Sequence, residues 1–235
     1  MKKLLAILGC VLVLANLSFA ANPTFNTGTT HHCASVAGTT GCAITFSPTN
    51  GHKLGLCVGF SNNNPSSITA ADNNSVSLTA GPVSSTANGE SAFFYYTISG
   101  SPTSFTVKWS GGNSASTGAA GDYINVVAVL GNPTGGTASG SASPSSISPT
   151  AQESGDLAIG CSSVNAANQQ TASVGTVDEE AHSASPGIAL EHASATGATA
   201  TNMQTTFTTT SWEASGIIFT NAAVGGTPNQ FPQIY

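Results

Sequence analysis

Ser104-Phe105-Thr106-Val107-Lys108-Trp109-Ser110 alternates along its whole length, with Phe105, Val107 and Trp109 on one side of an extended chain and Thr106 and Lys108 on the other. Successive side chains of a β-strand point to opposite faces, so this period of two predicts a strand with one face buried and one wet. The same phase recurs in Phe94, Tyr96 and Ile98. Working outward, short period-two or apolar runs stand between clusters of Gly, Pro, Asn and Ser. They predict strands at residues 42–46, 54–61, 76–79, 92–98, 105–110, 123–130, 157–163, 188–193, 205–209 and 212–221. No window carries a capped helical stripe. The expected fold class is all-β, an antiparallel two-sheet sandwich.

Charge is scarce. Beyond Lys2 and Lys3 the only basic residues are Lys53 and Lys108, arginine is absent, and ten Asp and Glu give a formal net charge of −6. A chain this poor in cations cannot track a nucleic-acid backbone or hold a polyphosphate, so no nucleic-acid partner is expected.

Residues 1–20 read as a secretory signal peptide. Lys2 and Lys3 precede an apolar run over 4–14, and Ser18-Phe19-Ala20 sets small residues before a cut at Ala21. Ile7-Leu8-Gly9-Cys10 loosely matches a lipidation box, but the apolar run continues past Cys10. The run is too short to span a bilayer and no other stretch is apolar enough, so no transmembrane segment is expected and the product is expected to be secreted or held at the cell surface.

Cleavage leaves Cys33, Cys42, Cys57 and Cys161, an even count that favours two disulfides in an exported chain and permits three pairings. The preferred pairing joins Cys33 to Cys42 and Cys57 to Cys161. It carries a difficulty: Cys57 faces away from Leu54, Leu56 and Val58, whereas Cys161 shares a face with Leu157 and Ile159. The conflict disappears if one of these strands is buried on both faces. Residues 21–224 are expected to form a single sandwich domain, with 133–150 as a Gly/Ser/Pro-rich crossover loop and 225–235 as a C-terminal tail.

Five segments in order carry a resemblance. They are Gly51-His52-Lys53-Leu54-Gly55-Leu56-Cys57-Val58, Phe93-Phe94-Tyr95-Tyr96, Ser104-Phe105-Thr106-Val107-Lys108-Trp109, Gly155-Asp156-Leu157-Ala158-Ile159-Gly160 and Trp212-Glu213-Ala214-Ser215-Gly216-Ile217-Ile218-Phe219. The series resembles a β-sandwich module of secreted and surface bacterial proteins, mostly of unassigned function. The resemblance implies a jelly-roll-like sandwich associated with sugar binding or adhesion. It departs from the module at Val127-Ala128-Val129-Leu130-Gly131, where the family carries a glutamate-tyrosine-serine-glycine stretch.

Enzyme chemistry finds little to work with. Glycoside hydrolysis needs two carboxylates flanking one bond. Asp178-Glu179-Glu180 is the sole acidic cluster, and on a strand it supplies at most two groups to one face. There is no G-x-S-x-G elbow. As metal ligands, Asp178, Glu179, Glu180 and His182 make calcium the cation to test, with Glu191 and His192 nearby and His31-His32 near the new N-terminus. For carbohydrate, Tyr95 and Tyr123 are the candidate exposed rings, beside Asn62, Asn63 and Asn64. Trp109 and Trp212 alternate with apolar neighbours and are expected in the core. Residues 205–210, five threonines around Phe207, look like an exposed edge strand suited to self-assembly. The expected function is therefore a non-catalytic structural or adhesive protein, with itself or surface glycans as partners.

Overall fold

The computed structural model describes residues 21–26, 31–35, 41–61, 65–111, 115–183, 185–208 and 210–221. The expected signal peptide, Asn62, Asn63, Asn64 and the C-terminal tail lie outside the described residues. No helix occurs among those described, and none is therefore long and apolar enough to cross a membrane.

Strand order repeats within the chain. The first nine strands are β1 (Thr24–Phe25), β2 (His31–Ser35), β3 (Gly41–Thr45), β4 (Lys53–Ser61), β5 (Ser67–Asp72), β6 (Thr79–Ser85), β7 (Gly89–Thr97), β8 (Ser104–Ser110) and β9 (Ala115–Ile124). They form a large sheet ordered β9-β4-β7-β6, with β1 and β2 both on the free side of β9, and a small sheet ordered β3-β8-β5. The next nine are β10 (Ala128–Leu130), β11 (Thr137–Gly140), β12 (Ser145–Ile147), β13 (Leu157–Val164), β14 (Thr171–Val174), β15 (Thr176–Ala181), β16 (Gly187–Ser194), β17 (Met203–Thr206) and β18 (Trp212–Thr220). Their large sheet runs β18-β13-β16-β15 with β10 and β11 on β18, and their small sheet runs β12-β17-β14. Every pairing is antiparallel, and each strand of the first set has its counterpart nine strands later.

The sandwich architecture expected from the alternation is present, stacked in four layers. Three apolar clusters mark the interfaces. Leu54, Leu56, Val58, Phe60, Phe94 and Ile98 of the first large sheet and its turns meet Ile44, Phe105, Val107 and Trp109 of its small sheet. Cys57, Phe93 and Tyr123 meet Leu157, Ile159, Leu190, Ile217 and Phe219 between the two large sheets. Val164, Trp212 and Ile218 meet Ile147 and Met203 on the far side. β4 and β13 are thus buried on both faces, which is why neither alternates cleanly.

That double burial answers the difficulty with the cysteines. Leu54, Leu56 and Val58 face the small sheet while Cys57 faces the second large sheet, where Cys161 waits among Leu157 and Ile159. Both expected disulfides form, Cys33–Cys42 and Cys57–Cys161, with Cα separations of 6.0 and 5.2 Å. The second joins the fifth residue of β4 to the fifth of β13, equivalent positions of the two repeats.

Three elements depart from expectation. Segment 133–150 holds β11 and β12 instead of running as an open loop; β11 extends the edge of β18 and β12 pairs with β17. The expected strand over 123–130 breaks at Asn125, whose φ of 60° ends β9 before β10 begins. Thr205 and Thr206 fall in β17, which is the middle strand of its sheet and no edge, and Thr205 is buried. Thr205 joins a hydroxyl network, Ser145 Oγ to Thr205 Oγ1 at 2.6 Å, Ser162 Oγ to Ser145 Oγ at 2.8 Å and Thr205 Oγ1 to Gln170 Oε1 at 2.9 Å. Thr205 thus satisfies its hydroxyl between layers, while Thr206 and Thr208 are exposed.

Candidate functional site

β15 carries a bulge. Val177 pairs with Glu191 and Glu179 with Leu190, so Asp178 is the extra residue and its side chain is re-aimed. It points inward with no exposed side-chain surface, and its two oxygens are separately held. His192 Nδ1 lies 2.5 Å from Oδ1, and the Tyr123 hydroxyl donates to Oδ2 at 2.8 Å. An ionised carboxylate only accepts, so the proton sits on Nδ1 of His192, leaving Nε2 as the open ring position. No hydrogen bond within the described residues engages Nε2. Burial first, then the charges of Asp178 and Asp122, hold the Tyr123 phenol well above its usual range, so it remains a donor.

Beside this triad lies a pocket of about 390 Å³. Pro23, Phe25, Leu157 and Val177 form its apolar wall, and Thr24, Thr176, Asp178, His192 and Ser194 its polar one. Phe25 on β1 packs against both key rings, with centroids 5.5 Å from Tyr123 and 6.1 Å from His192. Asp178 is the one carboxylate among the lining residues, where glycoside hydrolysis would use two.

The expected sites are redistributed. Tyr123 is fully buried and is no exposed platform. Tyr95 does face away from Phe94 and Tyr96, but the second large sheet covers that face; it is half-buried, and burial raises its phenol pKa. Both rings were expected at the surface because a sheet with one wet face was expected, and this sheet has none. Asp178, Glu179, Glu180 and His182 do not converge. Glu179 takes His32 Nδ1 at 2.5 Å, across the large-sheet interface, while Glu180 takes His182 Nδ1 at 2.7 Å and the Gln170 amide at 3.1 Å. Among the described residues no three His, Cys, Asp or Glu groups come together to hold a metal. Trp109 and Trp212 are in the core as expected.

Sequence reading did not find Phe25, which lies in a two-residue strand with no period to detect. A fourth His–carboxylate pair was also missed. His52 Nδ1 meets Asp122 Oδ1 at 2.7 Å, and Asp122 Oδ2 further accepts the Thr49 amide and Asn26 Nδ2, tying the residue after β1 to the turn before β4. Glu191, flagged as a ligand type, points to the other side of β16, against Gly160 and Met203, with Oε2 unbonded. Burial, then the charge of Asp178, pushes its carboxyl up to about 8. Comparison with protein-family models and with curated proteins finds no match for this chain.

Proposed function

We propose that the protein is an exported, non-catalytic structural or adhesive β-sandwich protein of the cell surface or extracellular space, of the kind its sequence resembles in secreted bacterial modules. The observation that carries this reading is the chemistry of the sheet edges. Among the described residues no edge strand bears a lysine or arginine; both described lysines lie on the interior strands β4 and β8. One edge of each large sheet is guarded, β6 by Pro82 and a bulge and β15 by a bulge and three acids. Of the small-sheet edges, β3 and β12 contain neither proline nor charge, whereas the outer side of β5 is covered by residues 76–78, which bond Ala70 and Asp72. Unblunted edges of this type are templates for pairing with another chain. Two disulfides fit an oxidising destination.

Sedimentation velocity and negative-stain electron microscopy over a range of concentrations test it. Concentration-dependent association or ordered assemblies are expected. A strict monomer at the highest concentration reached overturns the assembly reading.

A further inference from the structure

The two repeats supply an internal control for the triad. Because Lys53 pairs with Thr97 and Tyr123, and Leu157 with Ser194 and Phe219, positions can be matched strand by strand. Tyr123 corresponds to Phe219, His192 to Tyr95, and Phe25 to Val129, which pairs with Phe219 as Phe25 pairs with Tyr123. The bulge recurs as well: β6 breaks register after Ala80, the counterpart of Val177, so Gly81 stands where β15 has Asp178. The equivalent corner is therefore built from Gly81 and Tyr95 of the first repeat with Val129 and Phe219 of the second, without an ionisable carboxylate or imidazole. The backbone does not require Asp178 and His192. Burying an Asp–His–Tyr set costs desolvation that the equivalent corner avoids, and it opens onto a pocket where the imidazole has one nitrogen spare.

We propose that this pocket binds a neutral polyhydroxylated ligand of monosaccharide size. Its volume falls within the range of small-molecule sites. A cationic side chain is missing from its lining and a carboxylate is present, so anions are disfavoured. Asp178 has both oxygens committed, so it offers poor ligation to a metal cation. A sugar fits what is left. Its C–H face packs on Phe25, one hydroxyl donates to His192 Nε2, and others exchange hydrogen bonds with Thr24, Thr176 and Ser194. Asp178 and Tyr123 act as positioning residues that fix the imidazole's tautomer and plane. This site stands independently of the edge-assembly reading above.

The test is a long-range ¹H–¹⁵N NMR titration of the ¹⁵N-labelled, disulfide-bonded protein with methyl α-glucoside, methyl β-galactoside, methyl α-mannoside and N-acetylglucosamine. At least one of them should shift the His192 Nε2 resonance saturably. Phe25→Ala and His192→Gln should each weaken that binding tenfold or more, read for the latter by saturation-transfer difference on the sugar. Phe207→Ala, just after β17 and packed against the far apolar cluster, should leave binding unchanged. Wild-type protein alone decides the matter if a variant fails to fold. An unmoved His192 with all four probes, a shift with inorganic phosphate or calcium but no sugar, or full affinity in Phe25→Ala overturns the proposal.

Discussion

Tyr123 and Phe219 hold the same position in the two repeats and meet edge to face across the interface of the large sheets, with ring centroids 5.1 Å apart. The two differ by a hydroxyl, and that hydroxyl is one of the two groups solvating the buried Asp178 carboxylate. The repeats thus use one geometry for packing and, on one side only, for polar chemistry.

Tyr123→Phe turns this corner toward its apolar counterpart and removes one hydrogen bond to a buried charge. The expected loss is roughly 1.5–3 kcal/mol, because the carboxylate stays buried with a partner missing. Urea unfolding at neutral pH measures it. A variant as stable as the parent would mean that Asp178 is solvated by something other than Tyr123.

Close approach of the large sheets depends on Gly59. A Cβ there would stand 2.4 Å from Ser163 Oγ and 2.8 Å from Ile188 Cγ2, both on the facing sheet. Nearby, Ser91 Oγ donates to the Cys161 carbonyl at 3.1 Å and lies 2.8 Å from Ser215 Oγ, so small residues line this end of the interface. Gly59→Ala is expected to cost about 1–3 kcal/mol by overpacking, several degrees in melting temperature. Gly197→Ala, with nothing within 4 Å, is expected to change stability by less than about 0.5 kcal/mol. Equal melting temperatures for the two variants would contradict the packing.

The disulfides should differ in weight. Cys57–Cys161 closes a span of 104 residues and clamps the two repeats together, whereas Cys33–Cys42 closes one of 9. In the chain-entropy account these are worth roughly 4–5 and about 3 kcal/mol. The Cys57→Ala/Cys161→Ala double variant should therefore show the lower denaturation midpoint. The reverse order would place the cohesion of the repeats elsewhere.

Legibility followed burial. Residues 104–110 announced their strand because their sheet has one wet face, and 157–163 announced theirs by the apolar and small residues Leu157 to Cys161. Strands such as β14, Thr171-Ala172-Ser173-Val174, carry no such signal, since small and hydroxylated residues serve on either face. The repetition itself was hidden because it resides in backbone pairing: Lys53 matches Leu157 and Tyr95 matches His192, pairs with nothing in common as side chains. The cysteine pairing was readable from spacing, but its geometry needed four layers. The site needed the bulge at Asp178, which a period of two cannot foresee.

Stability should fall as pH rises from about 5 to 9. Burial pushes Glu191 up to about 8 from an ordinary 4.5, and burial, reinforced by the nearby Glu213, lifts Glu90 to about 6. The folded chain therefore holds protons that the unfolded chain gives up above about 4.5. Their contribution is complete at acid pH and is lost as pH climbs through 6 and then 8. For Glu191 the effect is on the order of a few kcal/mol, since each unit of displacement is worth about 1.4. Glu191→Gln keeps the shape without the charge and should flatten the upper part of the profile, leaving the fall near pH 6 that belongs to Glu90. Urea midpoints measured at intervals from pH 5 to 9 decide it. A parent protein that gains stability over that interval, or a Glu191→Gln variant with an unchanged slope above pH 7, would show that Glu191 is ionised in the fold.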